Sequence, residues 1–137
     1  MALTHLVDTS VLTRLARDEV RRAVQPRAKA GELARAGISD LEVGYSARNA
    51  TEWDRLAAAL ELFELIETTT EHMRRAKQVQ RLLASKHQRG RKVPDLLVAA
   101  AAEAAALIVL HYDADFDRIA AVTGQRCEWI VPAGSID

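Results

Sequence analysis

At 137 residues, with 49% hydrophobic and 28% charged residues, the chain is long enough to bury a proper core in one domain, residues 1–137, and its composition argues against disorder. Nineteen basic and nineteen acidic residues cancel to a formal net charge of +0, so bulk charge neither favours nor excludes a polyanionic partner. The single cysteine, Cys127, excludes an internal disulfide, and the absence of a signal-like N-terminus or an apolar run near 18 residues predicts a soluble cytoplasmic protein with no membrane association.

In chain order, residues 4–7 form a first strand candidate, followed by Asp8, Thr9 and Ser10 ahead of the helical pattern Val11, Leu12, Leu15. Each of the three can cap that helix, so Asp8 has two readings: an N-cap, or an acid at the carboxyl end of a strand. Arg14, Arg17, Arg21, Arg22, Arg27, Lys29 and Arg35 lie among small apolar residues interrupted by Pro26 and Gly31, which predicts two short helices over residues 14–36. Their charge is either a solvated face or a contact surface for nucleic acid or an acidic partner. Residues 37–40 read as a short lead-in strand or turn ending in an N-cap, which puts Glu42 in the first turn of the next helix. A favourable helix-dipole charge would by itself account for it there.

Residues 52–66 carry Trp53, Leu56, Ala57, Leu60 and Phe63 at helical spacing, a stripe that suits core or subunit interface, and residues 65–68 include a brief strand. Residues 71–88 are an amphipathic helix with Met73, Ala76, Val79 and Leu83 on one face. A basic run follows, in which Lys86, Arg89, Arg91 and Lys92 either hold a phosphate backbone beside an acid or form a solvated connection.

Pro94 suits the first turn of a helix and Asp95 its dipole, and residues 96–106 are good helix formers that are apolar on nearly every side. Residues 107–110, Leu-Ile-Val-Leu, read as a parallel strand buried on both faces, with Asp113 just beyond its carboxyl end. A helix through Val122, a turn at Gly124 and a last strand over residues 128–131 complete the pattern.

Strands alternating with helices predict an α/β fold with a parallel sheet and right-handed crossovers, which gathers strand ends and some helix N-termini at one edge. Asp8, Glu42, Asp95 and Asp113 are expected together there. Two like charges about 4 Å apart repel by roughly 4 kcal/mol at an effective dielectric of 20, so something positive belongs with them. No lysine or arginine is expected inside the cluster, and the sequence lacks the cysteines or helical histidine pair of a zinc site. Hard oxygen ligands suit Mg²⁺ or Mn²⁺, and a divalent ion held by carboxylates is the chemistry of metal-dependent nucleases.

Four segments in order, LVDTSVL at 6–12, ISDLEVGYSAR at 38–48, VPDLLVAAAA at 93–102 and LIVLHYDADFDRIA at 107–120, resemble PIN-domain proteins, and more narrowly the VapC toxins of bacterial VapBC toxin–antitoxin systems. The resemblance implies a PIN-like three-layer fold, a central, mainly parallel sheet of four or five short strands flanked by helices. It implies that Asp8, Glu42, Asp95 and Asp113 hold one or two Mg²⁺ or Mn²⁺ ions for endonucleolytic cleavage of structured RNA such as tRNA or rRNA. Ser10 would orient the acids through hydrogen bonds, and Asp115 would be auxiliary. A homodimer and inhibition by a cognate VapB antitoxin are further implications. His111 departs from the pattern, since many relatives have Thr or Ser two places before the fourth acid. The competing reading is a non-catalytic PIN-like module whose acids are helix caps and whose basic stretches meet RNA or protein.

Overall fold

A computed structural model describes residues 2–88 and 92–137. Five short strands, β1 (His5–Val7), β2 (Leu33–Ala36), β3 (Glu64–Ile66), β4 (Ile108–His111) and β5 (Cys127–Trp129), form one sheet in the order β3-β2-β1-β4-β5, every neighbouring pair parallel. The helices among the described residues are α1 (Thr9–Leu12), α2 (Asp18–Lys29), α3 (Gly37–Gly44), α4 (Ala50–Leu60), α5 (Thr70–Ser85), α6 (Val93–Ala104) and α7 (Asp115–Thr123). Parallel strands need crossovers, and these put helices on the faces of the sheet. The expected parallel α/β architecture is the one formed.

Side chains alternate across each strand and so feed two cores. Leu6 and Val109 pack with the alanines of α6 and with Val79, Leu83, Phe116 and Ile119 of α5 and α7. Val7 and Leu110 pack on the other side with Val11, Leu12, Val20, Val24, Val43, Leu60 and Phe63. β1 lies between β2 and β4, so successive connections leave it on opposite sides. The crevice this opens is at the carboxyl ends of β1 and β4, where an open parallel sheet binds its ligands.

Several local expectations are corrected. Residues 14–36 hold one helix and a strand rather than two helices: α2 runs through Pro26, and Leu33–Ala36 is β2. Proline removes one hydrogen bond near the end of α2, on a side open to solvent, while Val20 and Val24 keep the helix docked. Leu-Ala-Arg-Ala carries no strand preference of its own, and its ladder is imposed by β1 and β3 on either side. Ala34 and Ala36 are completely or almost completely buried in the α6 core, where a larger strand residue would hold the helix off. The lead-in strand and N-cap expected over residues 37–40 are instead the opening of α3, α4 stops at Leu60 rather than residue 66, and α5 stops at Ser85 rather than residue 88. β5 begins one residue earlier than expected and ends at Trp129.

Arg35, expected on a solvated or contact face, is only 6% exposed. Its Nε donates to Asp40 Oδ1 at 2.7 Å, and its Nη1 donates to the carbonyls of Leu60, at 2.8 Å, and Phe63. One guanidinium thus ties β2, α3 and the end of α4 together. Removing it leaves a carboxylate and two carbonyls short of a partner, so Arg35→Ala is expected to lower the unfolding free energy by about 3 kcal/mol. A urea melt checks this; a change below about 1 kcal/mol would show that the carbonyls find water instead.

Candidate active site

Asp8 leaves β1 in an extended conformation and caps α1, its Oδ2 accepting the Ser10 N–H at 2.9 Å. The N-cap reading is therefore correct as far as it goes, but it uses one oxygen. Oδ1 is buried without a partner. Asp95 stands in the first turn of α6, 4% exposed, and its Oδ2 is likewise buried and unpartnered. Leaving such a group unsatisfied is costly, and a fold that does so twice in one crevice has built a place for something else.

Glu42 is not in the first turn of its helix; Asp40 is, and it is bound to Arg35. Glu42 projects from the second turn of α3, where Thr9 donates to its Oε1 at 2.7 Å. A dipole-compensating charge does not explain that position. Asp113, two residues past β4, accepts the Asp115 N–H on Oδ1 at 2.9 Å and Lys92 Nζ on Oδ2 at 3.1 Å. Carboxylate oxygens of Asp95, Asp113 and Asp115 all lie within 4.8 Å of one another, so Asp115 belongs to the tight part of the cluster rather than its margin. Asp8, Glu42, Asp95 and Asp113 together line a groove of about 530 Å³.

The electrostatics follow from this crowding. Burial pushes the Asp95 carboxyl up to about 8, helped by the charges of Asp8, Asp113 and Asp115 and opposed by Lys92. Asp8 is also raised, by burial and by Glu42, against hydrogen bonds from Ser10. Burial raises Asp113 too, but the Asp115 N–H and Lys92 outweigh it and hold it below the usual carboxylate range. A divalent cation fits here on three counts: the donors are hard oxygens, two of them lack partners, and the acids resist being charged together without it.

One feature escapes the sequence. No cation was expected among the acids, yet Lys92, offered as a phosphate contact, is paired with Asp113. Its place at the N-cap of α6, three residues before Asp95, was the available signal. Of the other three basic candidates, Lys86 is exposed at the C-cap of α5 and is not among the residues lining the groove, while Arg89 and Arg91 lie outside the described residues. His111 is fully buried and tilted against the rings of Phe116 and Trp129. Burial lowers it to about 4, against the nearby charges of Asp117 and Asp113, so its ring is neutral, and Nδ1 accepts the Asp113 N–H at 3.2 Å. It thus steadies the backbone of the fourth acid. Ser10 links the strand ends differently from a carboxylate brace alone, because its Oγ accepts the Tyr112 N–H at 2.9 Å while its N–H holds Asp8.

A family model described as PIN domain matches residues 5–122. Ribonuclease VapC51 of Mycobacterium tuberculosis is 68% identical over 137 residues, covering 100% of both chains. Ribonuclease VapC18 of the same organism is 44% identical over 95% of this chain and 97% of that one. Among solved structures, VapBC2 from Rickettsia felis bound to a DNA fragment from its promoter superposes with a TM-score of 0.76 at 18% identity, covering 94% of this chain and 98% of that one. DNA-bound VapBC from Salmonella typhimurium gives 0.74 at 20% identity, covering 94% and 99%. At such identities the structural likeness speaks for the fold.

Because Asp95 is raised from 3.8 to about 8, the folded protein holds a proton that the unfolded chain has released across that window, and the metal-free fold loses stability as pH rises through it. A cation that binds the ionised acid must displace that proton from nearly every molecule at pH 6 but from only about half of them at pH 8. Mg²⁺ or Mn²⁺ is therefore expected to raise the melting temperature more at pH 8 than at pH 6. Asp95→Asn should melt higher than the wild type in EDTA at pH 8 and lose the cation-induced shift. Equal shifts at both pH values would refute the coupling.

Proposed function

The chain belongs to the PIN-domain family and to its VapC group, and on that premise we propose that it is the toxin of a VapBC toxin–antitoxin system, a divalent-metal-dependent endoribonuclease. Its substrate is structured RNA, tRNA or rRNA, and a cognate VapB antitoxin restrains it. Residues 1–137 are one PIN domain acting in the cytoplasm as a homodimer. No helix among the described residues is long and apolar enough to cross a membrane. The observation that carries the reading is the pair of buried, unpartnered oxygens on groove-lining acids, Asp8 Oδ1 and Asp95 Oδ2. The full-length identity of 68% to a protein named a ribonuclease supports it, and so do structural neighbours solved as VapBC complexes.

Asp8, Asp95 and Asp113, with Glu42, hold Mg²⁺ or Mn²⁺. When bound, the cation lowers the pKa of water and neutralises charge gathering on a phosphoryl group. The remaining work falls to the chain itself. Ser10 and its N–H keep the Asp8 carboxylate turned into the groove. Lys92 and the Asp115 N–H keep Asp113 ionised and ready to bind. Glu42, placed by Thr9, shares in holding the cation or takes the proton that the attacking water releases. His111 stays neutral and fixes the Asp113 backbone. Exposed Leu41, Tyr45 and Val93 offer apolar surface consistent with self-association.

Purified protein with Mg²⁺ or Mn²⁺ is expected to cut total cellular RNA into discrete fragments. EDTA, Asp8→Ala and Asp95→Ala should each lower the rate at least about a hundredfold, as losing several kcal/mol of charge stabilisation requires. Circular dichroism of the variants confirms that they are folded. RNA left intact by the wild type across pools of tRNA and rRNA would instead favour a binding module.

A further inference from the structure

One end of the groove takes no part in the acid chemistry. Arg14 lies there, just past α1, with Tyr112 and Asp137. Among the described residues lining the groove, Arg14 and Lys92 are the only cations, set against the five carboxylates of Asp8, Glu42, Asp95, Asp113 and Asp137. A polyanion entering such a groove needs positive partners beyond the reacting centre. Lys92 is already engaged by Asp113. That leaves Arg14.

Arg14 is built in rather than draped on the surface. Its Nη1 donates to the Ser10 carbonyl at 2.7 Å, and its guanidinium carbon lies 5.1 Å from the centroid of the Tyr112 ring. Tyr112 is itself fixed: its hydroxyl donates to the Ile136 carbonyl at 2.7 Å and accepts the Ile136 N–H at 3.1 Å. Ser10, which holds Arg14 by its carbonyl, holds Asp8 by its N–H. The guanidinium is thus referenced to the acid cluster through a single residue.

The group facing this guanidinium is the Asp137 carboxylate. Its Oδ2 is 3.4 Å from Arg14 Nε, and its Oδ1 is 3.4 Å from Arg17 Nη1. Both separations are longer than the roughly 2.7–2.9 Å of a charge-assisted hydrogen bond, and Arg14 Nε is buried without a hydrogen-bond partner. The Asp137 side chain is 48% exposed, so these pairs contribute little. A loosely held carboxylate bridging two guanidinium groups occupies a site suited to phosphate, which guanidinium forks bind in two-pronged fashion.

We propose that Arg14 and Arg17 form a subsite for an RNA phosphate flanking the one that is cleaved, and that Asp137 fills this subsite in the free protein and leaves it when RNA binds. The inference deepens the ribonuclease reading and rests on it for the identity of the ligand. The test is fluorescence anisotropy of a short labelled single-stranded RNA of mixed sequence on the full chain in EDTA, with cleavage in Mn²⁺ assayed in parallel. Asp137→Asn should bind about threefold tighter, and Glu71→Gln, an exposed acid on α5, should bind like the wild type. Arg17→Ala and Arg14→Ala should each weaken binding about five- to tenfold and reduce the salt slope by about one. Arg14→Lys should keep the slope but lose affinity, since an ammonium has no fork.

The tighter binding of Asp137→Asn cannot arise from a damaged fold, which keeps the proposal open to refutation even where an Arg14 variant is unstable. Unchanged or weaker binding by Asp137→Asn, equal tightening by Glu71→Gln, unchanged salt slopes, or no binding by the wild type at low salt would overturn it. Cleavage without that pattern removes the subsite and spares the nuclease. The pattern without cleavage does the reverse.

Discussion

Like charges held close together in a half-dry crevice are the constraint from which the rest of this structure follows. Carboxylates about 4 Å apart repel by roughly 4 kcal/mol at an effective dielectric of 20, and burial adds the loss of hydration. The chain meets the problem in three ways. Lys92 neutralises Asp113, backbone N–H groups hold Asp8 and Asp113, and Asp95 keeps its proton up to about 8. Each is a partial solution. Asp8 and Asp95 each keep a buried oxygen without a partner, and the proposed cation site rests on that pair.

Holding such a cluster requires rigid surroundings. The sheet provides them by placing the ends of β1 and β4 side by side, with Val7 in register with Leu110 and the Asp8 N–H continuing the ladder to the Leu110 carbonyl at 2.9 Å. α6 brings Asp95 to the same edge because its alanines let it lie close on Ala34 and Ala36 of β2. The small side chains of helix and strand are thus matched, and their shape sets the depth at which Asp95 sits. Arg35 secures the far side by tying β2 to α3, the helix that carries Glu42.

Ser10 is the point where acid, strand and base meet. Its N–H serves Asp8, its Oγ accepts from Tyr112 beyond β4, and its carbonyl receives Arg14. One small residue in the first turn of a four-residue helix therefore couples the acidic edge of the groove to Arg14. Arg14 and Asp8 are held at a fixed mutual distance for that reason.

The sequence by itself determined the class of fold and the places of Asp8, Asp95 and Asp113 at strand and helix ends, because these depend on local order. A buried apolar run with an acid shortly after it says where a strand ends, and a proline before an acid says where a helix begins, as at residues 107–113 and 94–95. It could not determine β2, since Leu-Ala-Arg-Ala becomes a strand only between two neighbours that pair with it. Nor could it separate Arg35, buried on two carbonyls, from the exposed arginines around it, or place Glu42 in the right turn of α3. Lys92 at Asp113 and Asp137 at Arg14 join residues 21 and 123 positions apart, and no periodicity records such pairs. Local pattern fixes what each segment becomes; which charges end up facing one another is decided only when the segments pack.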